Sequence, residues 1–220
     1  MSTSALRVVA VSGGLGDPSS TRLLVDRIVE AVGARVCGAR IEIIDLRDLA
    51  VDIGASMTSG FASGAAREAV AAVESADAVI AASPVFNASY SGLFKSFFDL
   101  VDVDAMAGKP VLIGATGGSP RHSMVLDHAM RPLFSYLRTV VVPTGVYAAA
   151  EDWAGTSGDT ATLSGRIDRA AGELVGLLSG PARPSVPVDE NSGAAPQACR
   201  QVAAEAAGIA NFARLLGNSS

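Results

Sequence analysis

Asp77-Ala-Val-Ile-Ala-Ala82 is apolar at every position after its aspartate. A short continuous run of this kind suits a strand buried on both faces, so it predicts the central strand of a parallel sheet. Working outward, similar runs recur on either side. Leu6-Arg-Val-Val-Ala-Val-Ser12 ends in a glycine cluster, and Ile41-Glu-Ile-Ile-Asp45 supplies a second strand. Pro110-Val-Leu-Ile-Gly-Ala115 reads as the fourth strand, and Val140-Val-Val142 starts a fifth that resumes at Val146-Tyr147 after Pro143. Helical spacing fills the intervals. From Thr21 to Val32 the apolar positions Leu24, Val25, Ile28, Val29 and Val32 share one face. Further helices are expected at Gly64 to Ser75, Ser91 to Val101, His122 to Leu137 and Leu163 to Leu178, whereas Ala50 to Ser59 shows no period and reads as loop.

Strands alternating with helices predict an α/β fold, a doubly wound five-stranded parallel sheet with helices on both faces. The economical strand order is 2-1-3-4-5, of the flavodoxin-like type, which puts a ligand at the carboxyl ends of strands one, three and four. The composition agrees: 49% of the 220 residues are hydrophobic and only 5% aromatic, which favours Ala/Val/Leu-packed helices over a β-sandwich. This domain is expected to span residues 1–179. A Pro/Gly-rich linker or arm follows at 180–197, and 198–220 reads as an Ala-rich helix and tail with Val202, Ala206, Ile209, Phe212 and Leu216 on one side.

A net charge of -5 without a Lys/Arg cluster gives nucleic acid no electrostatic footing. Cys37 and Cys199 are far apart and read as free thiols, with no metal site. There is no signal-peptide pattern and no apolar run approaching the ~20 residues of a membrane span. The protein is therefore expected to be cytoplasmic.

The three strand ends carry the chemistry. The first is Ser12-Gly-Gly-Leu-Gly-Asp-Pro-Ser-Ser-Thr-Arg22. Glycines let the backbone approach an anion, the helix that follows offers free N–H groups, and Ser19, Ser20 and Thr21 add neutral donors. The absence of a lysine excludes a triphosphate P-loop and suits a monophosphate. A dinucleotide fingerprint from Gly14-x-Gly16, with Asp45 on the ribose, would put its third glycine at Ser19 and meet Pro18 in the turn. Ser19 also reads as a plain helix cap. The second end, Ala82-Ser-Pro-Val-Phe-Asn-Ala-Ser-Tyr-Ser-Gly-Leu-Phe-Lys95, offers Pro84, Val85, Phe86 and Asn87 to a flat ring; Phe94, Phe97 and Phe98 read as core. The third, Ala115-Thr-Gly-Gly-Ser-Pro-Arg-His122, is a donor-rich loop in which His122 either lines the site or caps a turn.

Ser83-Pro-Val-Phe-x-x-x-Tyr-Ser-Gly-x-x-Lys95 and Ala115-Thr-Gly-Gly-Ser119, with Asp45-Leu46 and the helix from His122 to Arg131-Pro132, resemble the NADPH-dependent FMN reductase family of the flavodoxin-like superfamily. The likeness covers roughly residues 6 to 178 and is nearest to the alkanesulfonate-type two-component reductases. It implies FMN phosphate at Gly14, Leu15, Ser19, Ser20 and Thr21. It implies the isoalloxazine ring against Pro84, Val85, Phe86 and Asn87, with Thr116, Gly117 and Gly118 at its edge. It further implies NADPH or NADH as donor, a flavin-dependent monooxygenase as recipient, and a homodimer or homotetramer.

The first loop departs from the family's Gly-Ser-x-Arg start, because Gly13-Gly14-Leu15-Gly16 lacks that serine and arginine. Pro132 cannot donate to the carbonyl of residue 128, which predicts a kink or π-bulge at His128, where the resembling reductases have a tyrosine. The implied chemistry is hydride transfer between two cofactors, so no acid–base side chain is nominated; Arg121 is a candidate contact for the NADPH phosphate. A quinone or azo-compound reductase would share the same site. A flavodoxin-type electron carrier would be more acidic and would sandwich the flavin between aromatic rings. A regulatory phospho-acceptor domain would need an acidic cluster at the first strand end, and Ser12-Gly-Gly has none.

Overall fold

In the computed structural model, which describes residues 5–36, 38–153 and 162–179, the chain begins β1 (Arg7–Ser12), α1 (Ser20–Gly33), β2 (Arg40–Asp45), α2 (Ala50–Ser59), α3 (Gly64–Ser75) and β3 (Ala78–Phe86). It continues with β4 (Ser89–Tyr90), α4 (Gly92–Phe98), α5 (Val103–Met106), β5 (Pro110–Gly117) and α6 (Arg131–Tyr136). The last elements are β6 (Val140–Val141), β7 (Val146–Ala149), α7 (Ala150–Trp153) and α8 (Leu163–Leu178). Both cysteines, the expected arm and the expected C-terminal helix lie outside the described residues.

The apolar run that opened the reading is the sheet's centre. β3 pairs in parallel with β1 on one side and β5 on the other, and β2 lies beyond β1. The path β2-β1-β3-β5-β6, with β7 also on β5, keeps the expected order when β6 and β7 count as one interrupted strand. Alternate residues of each strand feed two cores. Val9, Val11, Val79, Ala81, Val111 and Ile113 meet Val70 and Val73 of α3, the α4 phenylalanines and Phe134. Val8, Ala10, Ala78, Ile80 and Leu112 meet Leu24, Val25 and Ile28 of α1 and Ile167 and Leu174 of α8. This strict alternation decides which side of the sheet each strand-end side chain will face.

Four expectations need correction. Among the described residues the sheet has seven strands, not five: Pro143 splits the last one, and β4 adds a short antiparallel pair to β3. β3 does not stop at Ala82, because Ser83 and Pro84 continue its pairing with Ala115 and Thr116. Asn87 and Ala88, with φ of 46° and 66°, then turn the chain in the left-handed geometry that a two-residue hairpin requires.

The third correction is α2, which replaces the loop expected at Ala50 to Ser59. Only Ile53 and Ser56 are buried, so its apolar stripe is too thin to register as a period. Tertiary anchors hold it instead: the Asp52 carboxylate accepts from the Ala65 N–H at 2.9 Å, and Ser56 Oγ from the Ser63 N–H at 3.1 Å. Gly60, at φ 80°, closes it. Finally, the single helix expected from His122 to Leu137 is three segments, a tight 3-10 stretch at Pro120–Met124, a π turn at Leu126–Met130 and α6. The π turn contains His128, as the missing N–H of Pro132 predicts; the Arg131 N–H donates five residues back, to the Leu126 carbonyl.

The start of β5 is clamped to α3 by buried Lys109, whose Nζ donates to the Val73 and Glu74 carbonyls at 2.7 Å each. These are among the last carbonyls of the helix, where intrahelical partners run out; Val73 accepts in addition only a 3.3 Å bond from the Ala76 N–H. Glu74 itself accepts from the Asp102 N–H at 2.8 Å, and burial raises its pKa above the ordinary carboxylate value. The folded chain therefore takes up this proton before the unfolded chain does, so Glu74 adds stability as pH falls through its raised pKa and loses it as pH rises. Glu74→Gln, which keeps an acceptor but carries no charge, is expected to stabilise the protein at neutral pH. That advantage should shrink as pH approaches the ordinary carboxylate range of about 4. Denaturant midpoints of both proteins across this interval check it, and a gap that widens on acidification would contradict it.

Candidate functional site

Because β1, β3 and β5 are neighbours in register, their carboxyl ends form one edge. Ser12 lies opposite Ala82, and Pro84 opposite Thr116. Ser12 follows the alternation of Val8 and Ala10, and Thr116 that of Leu112, so both hydroxyls face the α1 side of the sheet. Thr21, in the first turn of α1, shares a 2.7 Å hydrogen bond with the Thr116 hydroxyl. Three buried hydroxyls therefore lie on the α1 side of this edge, two of them bonded to each other.

The chain between β1 and α1 wraps this end. The Gly13 N–H donates to the Ala82 carbonyl at 2.8 Å, fixing the loop's departure. Ser19 is the N-cap of α1, its Oγ accepting from the Arg22 N–H at 3.2 Å. Gly14 is buried against that hydroxyl; a Cβ built there would stand 2.0 Å from Ser19 Oγ and 3.2 Å from the Thr21 Cβ. Leu15 is 45% exposed, and Ser20 is exposed at the helix start. The plain-cap reading of Ser19 is thus correct as far as it goes, and its hydroxyl hydrogen remains a donor.

This edge fits a flavin monophosphate. Ser12 Oγ is fully buried and has no hydrogen-bond partner among the described residues, an arrangement that costs free energy unless a ligand or water completes it. The first N–H groups of α1 also lack intrahelical acceptors and favour an anion. No group of three or more His, Cys, Asp or Glu able to hold a metal occurs among the described residues.

The second strand end is a stiff ledge. Ser83 Oγ donates to the Pro84 carbonyl and accepts from the Ser91 N–H, both at 2.9 Å, and Ser91 caps α4. Pro84 and Val85 are half-buried, while Phe86 (45% exposed) and Asn87 stand out at the hairpin tip. At the third end, the Tyr147 hydroxyl donates to the Ser119 carbonyl at 2.7 Å. It also fills the space beside Gly117, where a Cβ would come within 2.3 Å of it. Gly118 faces open space, and Arg121 and His122 are exposed, as is His128 on the π turn. Burial first, and Asp152 second, raise the Tyr147 pKa, so this clamp stays protonated.

The described clefts lie elsewhere. A cavity of about 620 Å³ opens between α2, α4 and α6, lined by Met57, Tyr90, Lys95, Phe98 and Tyr136 among others. A second of about 390 Å³ lies behind the third loop, against Tyr147 and Arg166. Neither includes a residue of the first loop, so size is no guide here; the chemistry of the hydroxyl-lined edge locates the candidate site.

Sequence reading missed Ser12, Ser83, Tyr147 and Arg47. Ser12 had a usable signal, a hydroxyl closing an apolar strand. Ser83 acts within its own strand end, on Pro84 and Ser91, while Tyr147 and Arg47 act through remote segments; Arg47, for example, donates from Nη1 to the Gly16 carbonyl at 2.9 Å.

The chain is 39% identical to "FMN reductase (NADPH)" of Pseudomonas aeruginosa over 178 residues, 81% of this chain and 95% of that protein. It is 41% identical to "NADH-dependent FMN reductase SfnF" of Pseudomonas putida over 151 residues, 69% of this chain and 81% of that one. An oxidoreductase from Corynebacterium diphtheriae, known from its crystal structure, is 44% identical with a TM-score of 0.75, covering 82% of this chain and 100% of its own. With residues 6–154 matching the family described as NADPH-dependent FMN reductase, this chain belongs to that family.

Proposed function

We propose that the protein is an NAD(P)H-dependent FMN reductase that hands reduced flavin to a partner monooxygenase. The observation that carries this reading is the set of buried hydroxyls on the α1 side of the strand ends: Thr21 bonded to Thr116, and Ser12 without a partner among the described residues. On this reading Gly14, Leu15, Ser19, Ser20 and Thr21 hold the phosphate, with Ser12 beneath it. Pro84, Val85, Phe86 and Asn87 support the ring, and Thr116, Gly117 and Gly118 meet its edge. Bound FMN would supply the redox chemistry, as the acceptor of a hydride from the nicotinamide, while the residues named above hold and orient it.

The protein's own contribution is binding and orientation. Ser83 and Ser91 keep the ledge rigid, and Tyr147 keeps the third loop close. The exposure of Phe86 and the open space at Gly118 leave this side of the site open to a nicotinamide and to solvent, which suits release of reduced flavin. Assembly as a homodimer or homotetramer belongs to the same reading; exposed Met57, Phe61 and Tyr136 offer apolar surface to another copy.

Anaerobic mixing with NADPH or NADH, with and without added FMN, tests the proposal. Bleaching of added FMN, with oxidation of nicotinamide in proportion, is expected. No flavin binding and no nicotinamide oxidation would overturn it. Turnover of quinones or azo compounds by tightly retained FMN would favour that alternative acceptor class over a monooxygenase.

A further inference from the structure

The first loop poses an electrostatic difficulty. From Ser12 to Thr21 it contains one charged residue, and that residue is an acid, Asp17. A phosphate approaching this loop meets helix N–H groups and hydroxyls, but also a carboxylate of its own sign. The next cation along the chain, Arg22, does not compensate. Its Nε donates to Asp26 at 2.8 Å and its Nη1 to Asp45. These carboxylates, Asp26 foremost, raise its already high pKa. They hold Arg22 toward the end of β2.

The sheet register brings a different cation to the loop. Asp45, the last residue of β2, lies opposite Ser12, the last residue of β1, so the chain leaving β2 starts beside the loop leaving β1. A 3-10 turn, Leu46–Leu49, follows at once. Leu46 is fully buried and anchors the turn, while Arg47 reaches the loop. There Nη1 donates to the Gly16 carbonyl at 2.9 Å, and Nη2 lies 3.6 Å from the Asp17 carboxylate. Nε is 3.4 Å from Asp48. The Asp17 contact is longer than a hydrogen bond, and Asp17 is 83% exposed, so that partner is readily exchanged.

We propose that Arg47 is the phosphate-selecting residue of this site, supplying from the β2–α2 connection the positive charge that the first loop lacks. This rests on the flavin reading above. Arg47 acts in two ways: it braces the loop through Gly16, and it offsets Asp17 so that an anion can settle at the head of α1. Its guanidinium side chain is 37% exposed, so solvent screens the effect and a moderate size is expected.

Titration of the full-length protein with FMN and with riboflavin, which differ by the phosphate alone, tests this. Arg47→Gln is expected to weaken FMN binding about three- to tenfold at low ionic strength and riboflavin binding less than about twofold. Arg47→Lys should restore most of the loss. The FMN difference between wild type and Arg47→Gln should close as salt is added, because the Debye length falls to about 3 Å at 1 M. Equal losses for the two flavins would reassign Arg47 to loop packing and overturn the proposal. So would unchanged FMN binding, or an effect confined to NADPH. Wild-type protein that binds neither flavin would overturn the site itself, an outcome distinct from failure of the arginine alone.

Discussion

Phe98→Ala should cost about 3–5 kcal/mol of stability, the usual range for truncating a buried aromatic. Phe98 is 1% exposed and is the hub of the only dense aromatic cluster among the described residues. Its ring lies 4.7 Å from Phe94, 5.0 Å from Phe134 and 5.3 Å from Phe97, centroid to centroid. Edge and tilted contacts of this kind add to the burial of the ring itself. Truncation also merges the void with the neighbouring 620 Å³ cleft, which Phe98 lines, so collapse recovers little. Domain stabilities are typically about 5–15 kcal/mol, and such a loss removes a large share. Denaturant midpoints measure it, and a loss below about 1 kcal/mol would refute the hub assignment. The site should loosen as well, since α4 is tied by Ser91 to Ser83 at the end of β3. Phe98→Leu, which fills more of the space, should show a smaller loss of both.

Gly14→Ala is expected to weaken FMN binding about ten- to a hundredfold. The new methyl would stand 2.0 Å from Ser19 Oγ, so the serine must rotate away. Rotation removes the α1 cap, worth about 1 kcal/mol of stability. It also withdraws a hydroxyl from the phosphate, and hydrogen bonds to charged groups contribute about 1.5–3 kcal/mol. Riboflavin affinity should change far less. A double-mutant cycle gives the sharper test: in Gly14→Ala/Ser19→Ala the 2.0 Å clash is gone and only the tight contacts to the Cβ atoms of residue 19 (3.1 Å) and Thr21 (3.2 Å) remain, so the double variant should be only slightly worse than Ser19→Ala alone. Additive losses would show that Gly14 serves by some other means.

Much of the fold could be read in advance because its strands are buried on both faces and leave continuous apolar runs. Ala78–Ala82 needed no partner to identify it. α2 could not be read that way, since its stability comes from Asp52 and Ser56 reaching the start of α3, contacts that leave no local period. The hairpin at Asn87-Ala88 was obscured by Pro84, which ordinarily argues against a strand interior. At the site, the strand ends were legible as chemistry because glycines and hydroxyls cluster there in sequence. Loop 13–19 departs from the family's serine and arginine, and only the folded chain shows Ser19 filling the space beside Gly14 and Arg47 at the Gly16 carbonyl. Tyr147 was invisible for the same reason: its partner, Ser119, is 28 residues away.

The interruption at Pro143 has a consequence beyond topology. An open sheet ends in unpaired backbone groups that can recruit a neighbouring molecule and seed insoluble stacks. One border here is β2, whose Arg40 and Glu42 are exposed and would place charge in any such seam. The opposite border is broken into β6, two residues long, and β7, four residues long, with a proline between them. Among the described residues, neither border offers a long, flat, uncharged template. Self-association of this chain is thereby steered away from joining sheets edge to edge and toward contacts between its helical layers.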